Sequence, residues 1–308
     1  ERQLLDILTA FEAMAATSLP TPTPLTLTAA ITQEAYHTAF DKTIDYLKAG
    51  DAYQINLTQA WQGASDTPLY YHLPKLFDAT RAPFSGFVMI DGFEVLSVSP
   101  ELFFKFNQKN QDILLTTKPI KGTRPRSNNP AEDARLKHSL ATSEKDLAEN
   151  VMIVDLLRND LGRYAKFGAV TVPVRFDIES FHNVHHMVST IVATINDTPI
   201  LQVLFDSLPA GSITGSPKKR ACEIIHELEY QPRGAYCGTM GYLNFNNTGQ
   251  FNVLIRTLQA HTDNDNTTHH VRLWAGGGIT VLSDCDDEYQ ECLDKIGRIL
   301  TLLQQQAP

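Results

Sequence analysis

Apolar residues recur every three to four positions in some stretches of the chain and every second position in others, and the switches between the two periods delimit the elements. Thr32 stands ahead of Tyr36, Phe40, Ile44 and Leu47, a helical spacing that Gly50 ends, so a capped helix is expected there. Strand patterns lie at 53–61, 84–90, 94–98, 102–106 and 113–117, and polar turns such as Asp91-Gly92 make neighbours antiparallel. The period turns helical at 132–138 and 143–159, with Ser143 placed to cap the second helix. Alternation resumes at 169–179 and 185–195, a short helix is expected near 199–207, and Pro217 opens another to Glu229. Strands at 236–245, 250–259 and 270–275 and a closing helix at 286–304 complete the pattern. Ahead of all this, residues 1–16 read as a short helix and 17–28, with Pro20, Pro22 and Pro24, as an extended linker. Mixed blocks of this kind predict an α+β chain with large antiparallel sheets and helices packed outside.

Composition narrows the function classes. The 308 residues are 43% hydrophobic and 20% charged, with 17 Gly and 16 Pro dispersed, which describes a globular chain able to bury a core. A formal charge of −9 argues against a nucleic-acid or anionic-membrane binder, because both need a surplus of Lys and Arg on some face. An anionic substrate would therefore need specific local cations or a metal to receive it. No apolar run approaches the roughly 20 residues of a membrane span, and the start carries no signal-peptide pattern. Cys222, Cys237, Cys285 and Cys292 lack C-x-x-C spacing, so reduced thiols and a cytoplasmic setting are expected. The first residue, Glu1, points to a fragment or a processed or truncated chain.

Several constellations could carry chemistry. Asp146 and Glu149 are three apart on one predicted helix, and Glu288 and Glu291 are three apart on another, so each pair shares a helix face. They read either as solvated faces or, if the helices converge, as an oxygen-only site suited to Mg²⁺. Gly211-Ser212-Ile213-Thr214-Gly215-Ser216-Pro217-Lys218 leads into a helix N-terminus that favours an anion, or is simply a helix start. Ala275-Gly276-Gly277-Gly278-Ile279 offers bare backbone amides, or a turn. The run from Thr117 to Arg126 concentrates Lys118, Lys121, Arg124 and Arg126 with two prolines after a strand. It is either a solvated basic turn or a rigid mount for a nucleophilic lysine. Of His185 and His186, in an alternating run, at most one can point inward, where a hydrogen-bonded core role is the plain reading.

Five segments in this order resemble the chorismate-utilising enzymes: Pro119-Ile120-Lys121-Gly122-Thr123, the run Ala148-Glu149-Asn150 to Arg158-Asn159-Asp160, the segment 211–218, Ile255-Arg256-Thr257 and the glycine run 275–279. The resemblance implies large antiparallel β-sheets packed as a sandwich with helices outside, an N-terminal helix and Pro-rich linker over 1–31 as the remainder of a longer region, and a chorismate-binding catalytic domain over 32–308. It further implies Mg²⁺ on Glu149 and Glu291, with Asp146 and Glu288 supporting through water. Arg256 and Tyr236 would hold the enolpyruvyl carboxylate with amides near Gly276 and Gly278, and Ser212 and Lys295 would make further substrate contacts.

Lys121, in place of the alanine found in anthranilate-forming members, implies amination of chorismate by ammonia to 4-amino-4-deoxychorismate, on the way to p-aminobenzoate and folate. Its amine would attack C2, Glu101 would act as general acid on the C4 hydroxyl, and His186 would lie near the ring in an open role. Gln54, where water-activating members carry lysine, disfavours hydrolytic chemistry. Ammonia would come from a separate glutamine amidotransferase subunit. The alternatives are anthranilate formation, or a silent subunit that keeps the fold and docks the amidotransferase.

Overall fold

The computed structural model describes residues 21–181, 184–263 and 267–305. The helix expected over 1–16 lies outside the described residues. The first helix is α1 (Gln33–Ala49), capped by Thr32, whose hydroxyl accepts from Ala35 N–H, and ended by Gly50 at φ 85°. It is followed by β2 (Gln54–Ser65), which pairs on one side with the two-residue β1 (Thr28–Ala29). A further helix, α2 (Leu73–Thr80), was not anticipated; it is too short for its period to stand out and has Pro74 near its start. Then come the hairpin strands β3 (Phe84–Ile90) and β4 (Phe93–Ser99), followed by β5 (Leu102–Lys109), β6 (Asp112–Lys118) and β7 (Ile120–Pro125).

The helices α3 (Pro130–Ala141) and α4 (Glu144–Gly162) are capped by Asn129 and Ser143, and the long strands β8 (Ala165–Ser180) and β9 (Val184–Ile195) succeed them. The remainder is α5 (Ile200–Asp206), β10 (Gly215–Ser216), α6 (Lys218–Leu228), β11 (Gly241–Leu243), β12 (Gly249–Asn252), β13 (Thr257–Thr262), β14 (His269–Ile279) and α7 (Cys285–Gln304).

All pairings are antiparallel, in two seven-stranded sheets. The first runs β1-β2-β14-β13-β4-β3, with β10 on β2; the second runs β11-β12-β5-β6-β9-β7, with β8 on β9. Tyr36, Phe40 and Leu47 of α1, Ile224 and Leu228 of α6, and Ile296, Ile299 and Leu302 of α7 pack on the first sheet through Ile55, Leu57, Leu273 and Ile279. The second core joins Phe104, Phe106, Leu115 and Ile191 to Ile153, Leu157 and Leu161 of α4, and reaches Ala60 and Trp274 of the first sheet. The described part of the expected linker is extended but enclosed: Leu25 and Leu27 are buried, and Leu25 N–H donates to the Leu303 carbonyl at 2.9 Å.

Three expectations need correction. The strand expected at 236–245 is reduced to β11, because residues 234–237 form a turn that buries Tyr236. The strand expected at 250–259 is two strands in different sheets, since the chain leaves the second sheet after Asn252 and joins the first at Thr257. An alternating run cannot reveal such a crossing, because its apolar period continues through it. His185 and His186 do face opposite sides of β9, yet both are buried, 1% and 2% exposed. Both side chains are covered there: Asp133 of α3 meets His185 Nε2 at 3.1 Å, and the Phe181 ring lies 5.6 Å from that of His186.

Candidate active site

The end of β14, the start of β2, the bulged strand β7 and the N-terminal turns of α4 and α7 bring most of the candidate residues together. In β7 the register with β9 shifts between Ile120 and Thr123, and Gly122 adopts φ 82°. A bulge of this kind re-aims the side chain beside it. A Cβ at Gly122 would stand 2.8 Å from Leu140 and 2.9 Å from Asp146, so that close approach needs glycine as well. Lys121, whose side chain is 11% exposed, points across to Glu149 Oε2 at 4.0 Å. Its Nζ lies 3.1 Å from the place a Cβ on Gly278 would take, so the bare glycine leaves room for the amine.

Glu101 sits in the tight connection between β4 and β5 and is 5% exposed. Burial pushes its carboxyl up to about 7, against the hydrogen bond that Ser212 donates to Oε1 at 2.9 Å and the attraction of Lys121 and Lys295. A carboxyl in that range can stay protonated near neutrality and give its proton away. Arg256 lies at the crossing between the sheets with φ 51°. Burial lowers its pKa, and Glu101 is the acid whose charge supports it. His186 Nδ1 lies 2.9 Å from Thr123 Oγ1, while Nε2 is buried with no partner among the described residues. Burial and then the Arg256 charge push this imidazole down to about 3, so it is neutral at physiological pH.

The helices carrying the two acidic pairs approach each other: Lys145 of α4 reaches Glu288 of α7 at 3.5 Å, and the Glu288 charge acts on Glu149. A Cβ on Gly277 would stand 2.5 Å from Glu288 Oε2 and 3.9 Å from Glu291 Oε1. Burial and mutual repulsion raise Glu149 and Glu288, whereas for Glu291 burial is outweighed by Lys295, 2.6 Å away, which holds it low. Lys295 also donates to the Gly276 carbonyl at 2.7 Å. Asp146 is paired with Arg124 at 3.1 Å. Among the described residues no group of three such side chains forms a ready-made metal cage. The donor set nonetheless fits a hard cation: Glu149, Glu288 and Glu291 are oxygen donors that repel one another over glycine backbone, a repulsion a divalent ion relieves.

Tyr236 stands apart from these contacts. Its ring stacks on Trp274 at 6.1 Å, two residues before Gly276, with the Arg233 guanidinium 6.0 Å from its centroid. Sequence reasoning passed over Lys145, whose ammonium reaches Glu288 at 3.5 Å. Its spacing of four from Glu149 was the available signal, but such a pair is common on solvated helix faces. It also passed over Asn150 and Ser189, hydrogen-bonded at 2.6 Å between α4 and β9. Gln54 is buried against Gly278, with neither its amide nitrogen nor its oxygen partnered among the described residues.

With fold and site in view, residues 2–301 match the family described as chorismate binding enzyme, and the chain belongs to that family. Aminodeoxychorismate synthase component 1 of Salmonella typhimurium is 44% identical over 289 residues, covering 91% of this chain and 61% of that protein. Its Escherichia coli counterpart is 43% identical over 278 residues, covering 89% and 58%. Anthranilate synthase component 1 of Cereibacter sphaeroides is 38% identical over 265 residues, covering 86% and 51%. The crystal structure of anthranilate synthase component I from Streptococcus pneumoniae superposes with a TM-score of 0.81 at 26% identity, covering 97% of this chain and 66% of that one. The chain thus spans about three fifths of the length of the aminodeoxychorismate synthase relatives it matches.

Proposed function

We propose that this chain converts chorismate and ammonia to 4-amino-4-deoxychorismate, as a component 1 working with a glutamine amidotransferase that supplies the ammonia. The observation that carries the reading is the placement of the Lys121 amine beside Glu149 and the bare backbone of Gly278, near enough to the protonatable Glu101 for its charge to act on that carboxyl. The similarity to two proteins named aminodeoxychorismate synthase component 1 supports it.

In this reading Glu149 and Glu291, with Asp146 and Glu288 behind them, would hold Mg²⁺, which when bound would supply positive charge for the ring carboxylate of chorismate. Arg256 and Tyr236, with amides near Gly276 and Gly278, receive the enolpyruvyl carboxylate, and Ser212 and Lys295 position the ring. The Lys121 amine in its neutral form attacks C2 as both ring double bonds shift one place and the C4–O bond breaks. Glu101 supplies the proton with which the hydroxyl leaves as water. Ammonia then forms the C4–N bond, the two double bonds shift back, and the C2–N bond to Lys121 breaks, returning the amine, while the proton that the added ammonia sheds restores Glu101. The sum is chorismate plus ammonia giving product plus water. Neutral His186 offers its unpaired Nε2 as a hydrogen-bonding group near the ring. The four unpaired cysteines support a reducing, cytoplasmic setting.

The test is a product assay: the purified chain with chorismate, Mg²⁺ and ammonium, read by mass spectrometry with and without added aminodeoxychorismate lyase. p-Aminobenzoate formed only with the lyase supports the reading. Anthranilate as the product replaces it with anthranilate synthesis, and no turnover favours a subunit that needs further chain or serves only to dock its partner.

A further inference from the structure

Three lysines stand among the carboxylates, and they are held differently. Lys121 is enclosed, and Lys295 is fixed at two points, Gly276 O and Glu291. Lys145 enters from the first turn of α4 with 52% of its side chain exposed, and its ammonium meets Glu288, which is only 4% exposed. Among the described residues Glu288 is the one hydrogen-bond and ion-pair partner of that ammonium, at 3.5 Å, which is long for a charged contact. Glu288 Oε1 is also satisfied by the Ser283 hydroxyl at 2.8 Å, so it does not depend on the lysine for a hydrogen bond. What the lysine supplies is charge. The carboxylates of Glu288, Glu149 and Glu291 all act on it, and against burial they hold its pKa above the ordinary value.

A buried carboxylate without a counter-charge is costly, and among the three Glu288 is the one at risk: Glu149 has Lys121 at 4.0 Å and the half-exposed Glu291 has Lys295 at 2.6 Å, whereas Lys145 is the ion-pair partner of Glu288 among the described residues. Some cation must balance Glu288 both with and without a bound metal. A lysine has a flexible four-carbon stem and a compact charge, so an exposed stem lets it leave without disturbing the fold.

We infer that Lys145 is a tethered counter-ion of the carboxylate cluster: its ammonium balances Glu288, Glu149 and Glu291 while the site holds no divalent cation, and swings out along its exposed stem when one binds. The inference rests on the Mg²⁺ reading given above and adds a competition within the chain itself. Lys145 weakens metal binding and, in exchange, steadies the metal-free protein.

The experiment compares the intact wild-type chain with Lys145→Met, Lys145→Gln and Lys145→Arg. Mn²⁺ binding is followed by electron paramagnetic resonance, Mg²⁺ binding by calorimetry, and thermal melting is recorded in chelator and in saturating Mg²⁺. Both neutral variants are expected to bind Mn²⁺ about tenfold tighter, since one nearby positive charge has been removed from partly screened surroundings. In chelator they should melt about 3 °C lower, and this difference should shrink in saturating Mg²⁺. Lys145→Arg, which keeps the charge, should bind metal like the wild type. Equal or weaker metal affinity in both neutral variants, or unchanged melting in chelator, overturns the counter-ion role and leaves the Mg²⁺ reading standing. Absence of metal binding by the wild type overturns that reading, and this inference with it.

Discussion

Glu101 is held in a state that most carboxyls leave well below neutral pH. Its folded pKa of about 7 lies above the ordinary 4.5. Its contribution to stability is therefore present in full below about 4.5 and is lost as pH rises to and through 7, because over that interval the unfolded chain has released a proton that the folded protein still holds. The loss is on the order of 3 kcal/mol across that interval. Glu101→Gln should flatten the fall in stability between pH 5 and 8, as measured by urea denaturation, while abolishing the general-acid step. An unchanged slope would show that Glu101 does not titrate in this range. Lys121→Ala, compared with the wild type in saturating Mg²⁺ so that loss of a cation beside Glu149 weighs least, should remain folded and reduce aminodeoxychorismate formation about a hundredfold or more, or divert the product to anthranilate. Undiminished output would remove the lysine from the reaction. Lys121 and Glu101 were legible because they sit in short runs with a recognisable order. Lys145 was not, because its partner Glu288 lies on another helix and no local spacing records that contact.

Elements set how finely the site is spaced, and two glycines of β14, two residues apart, show it. A Cβ on Gly276 would drive into the Leu57 carbonyl and Thr58 Cα of the paired strand, where nothing can yield. A Cβ on Gly278 would meet the ends of two side chains, Gln54 Nε2 at 2.7 Å and Lys121 Nζ at 3.1 Å. Gly276→Ala should therefore cost about 1–3 kcal/mol of stability, seen as a lower urea midpoint. Gly278→Ala should melt near the wild type while kcat/KM for chorismate falls about tenfold, because the amine is displaced. A reversal of these two outcomes would show that the strand end is mispaired as described.

The Asn150–Ser189 hydrogen bond fixes α4 to β9, and with it Glu149 to the neighbouring β7 that carries Lys121. Ser189→Ala leaves a buried acceptor without its donor. It should cost about 1–3 kcal/mol, seen in urea denaturation, and an unchanged midpoint would deny the tether any weight. Periodicity located α4 and β9 but not this tether, because a polar residue inside an apolar run carries no mark of what it faces.

At the scale of the molecule, the alternating pattern identified antiparallel strands, while the order within each sheet left little trace in the sequence. Strand β9 pairs with β6, β7 and β8, so its neighbours include strands far from it along the chain, which no local period encodes. The outer edge of the first sheet is β3, where Val88, Met89 and Ile90 are 37%, 54% and 64% exposed without a charge among them. An uncharged edge is a template for adding strands. Met89→Lys should slow aggregation on heating, followed by light scattering, and an unaltered rate would locate the sticking surface elsewhere.

The stretch between Asn252 and Thr257 has a consequence of its own. It ends one strand whose alternate residues must face the second sheet's core and begins another whose alternate residues must face the first's, with Arg256 at positive φ between them. Its length is thus bound by two parities at once. One residue more or fewer would either turn every side chain of β12 or β13 to the opposite face or push the surplus into the space around the guanidinium. Insertions and deletions should be excluded here even where single substitutions are tolerated, so the segment acts as a gauge that keeps the two sheets in step.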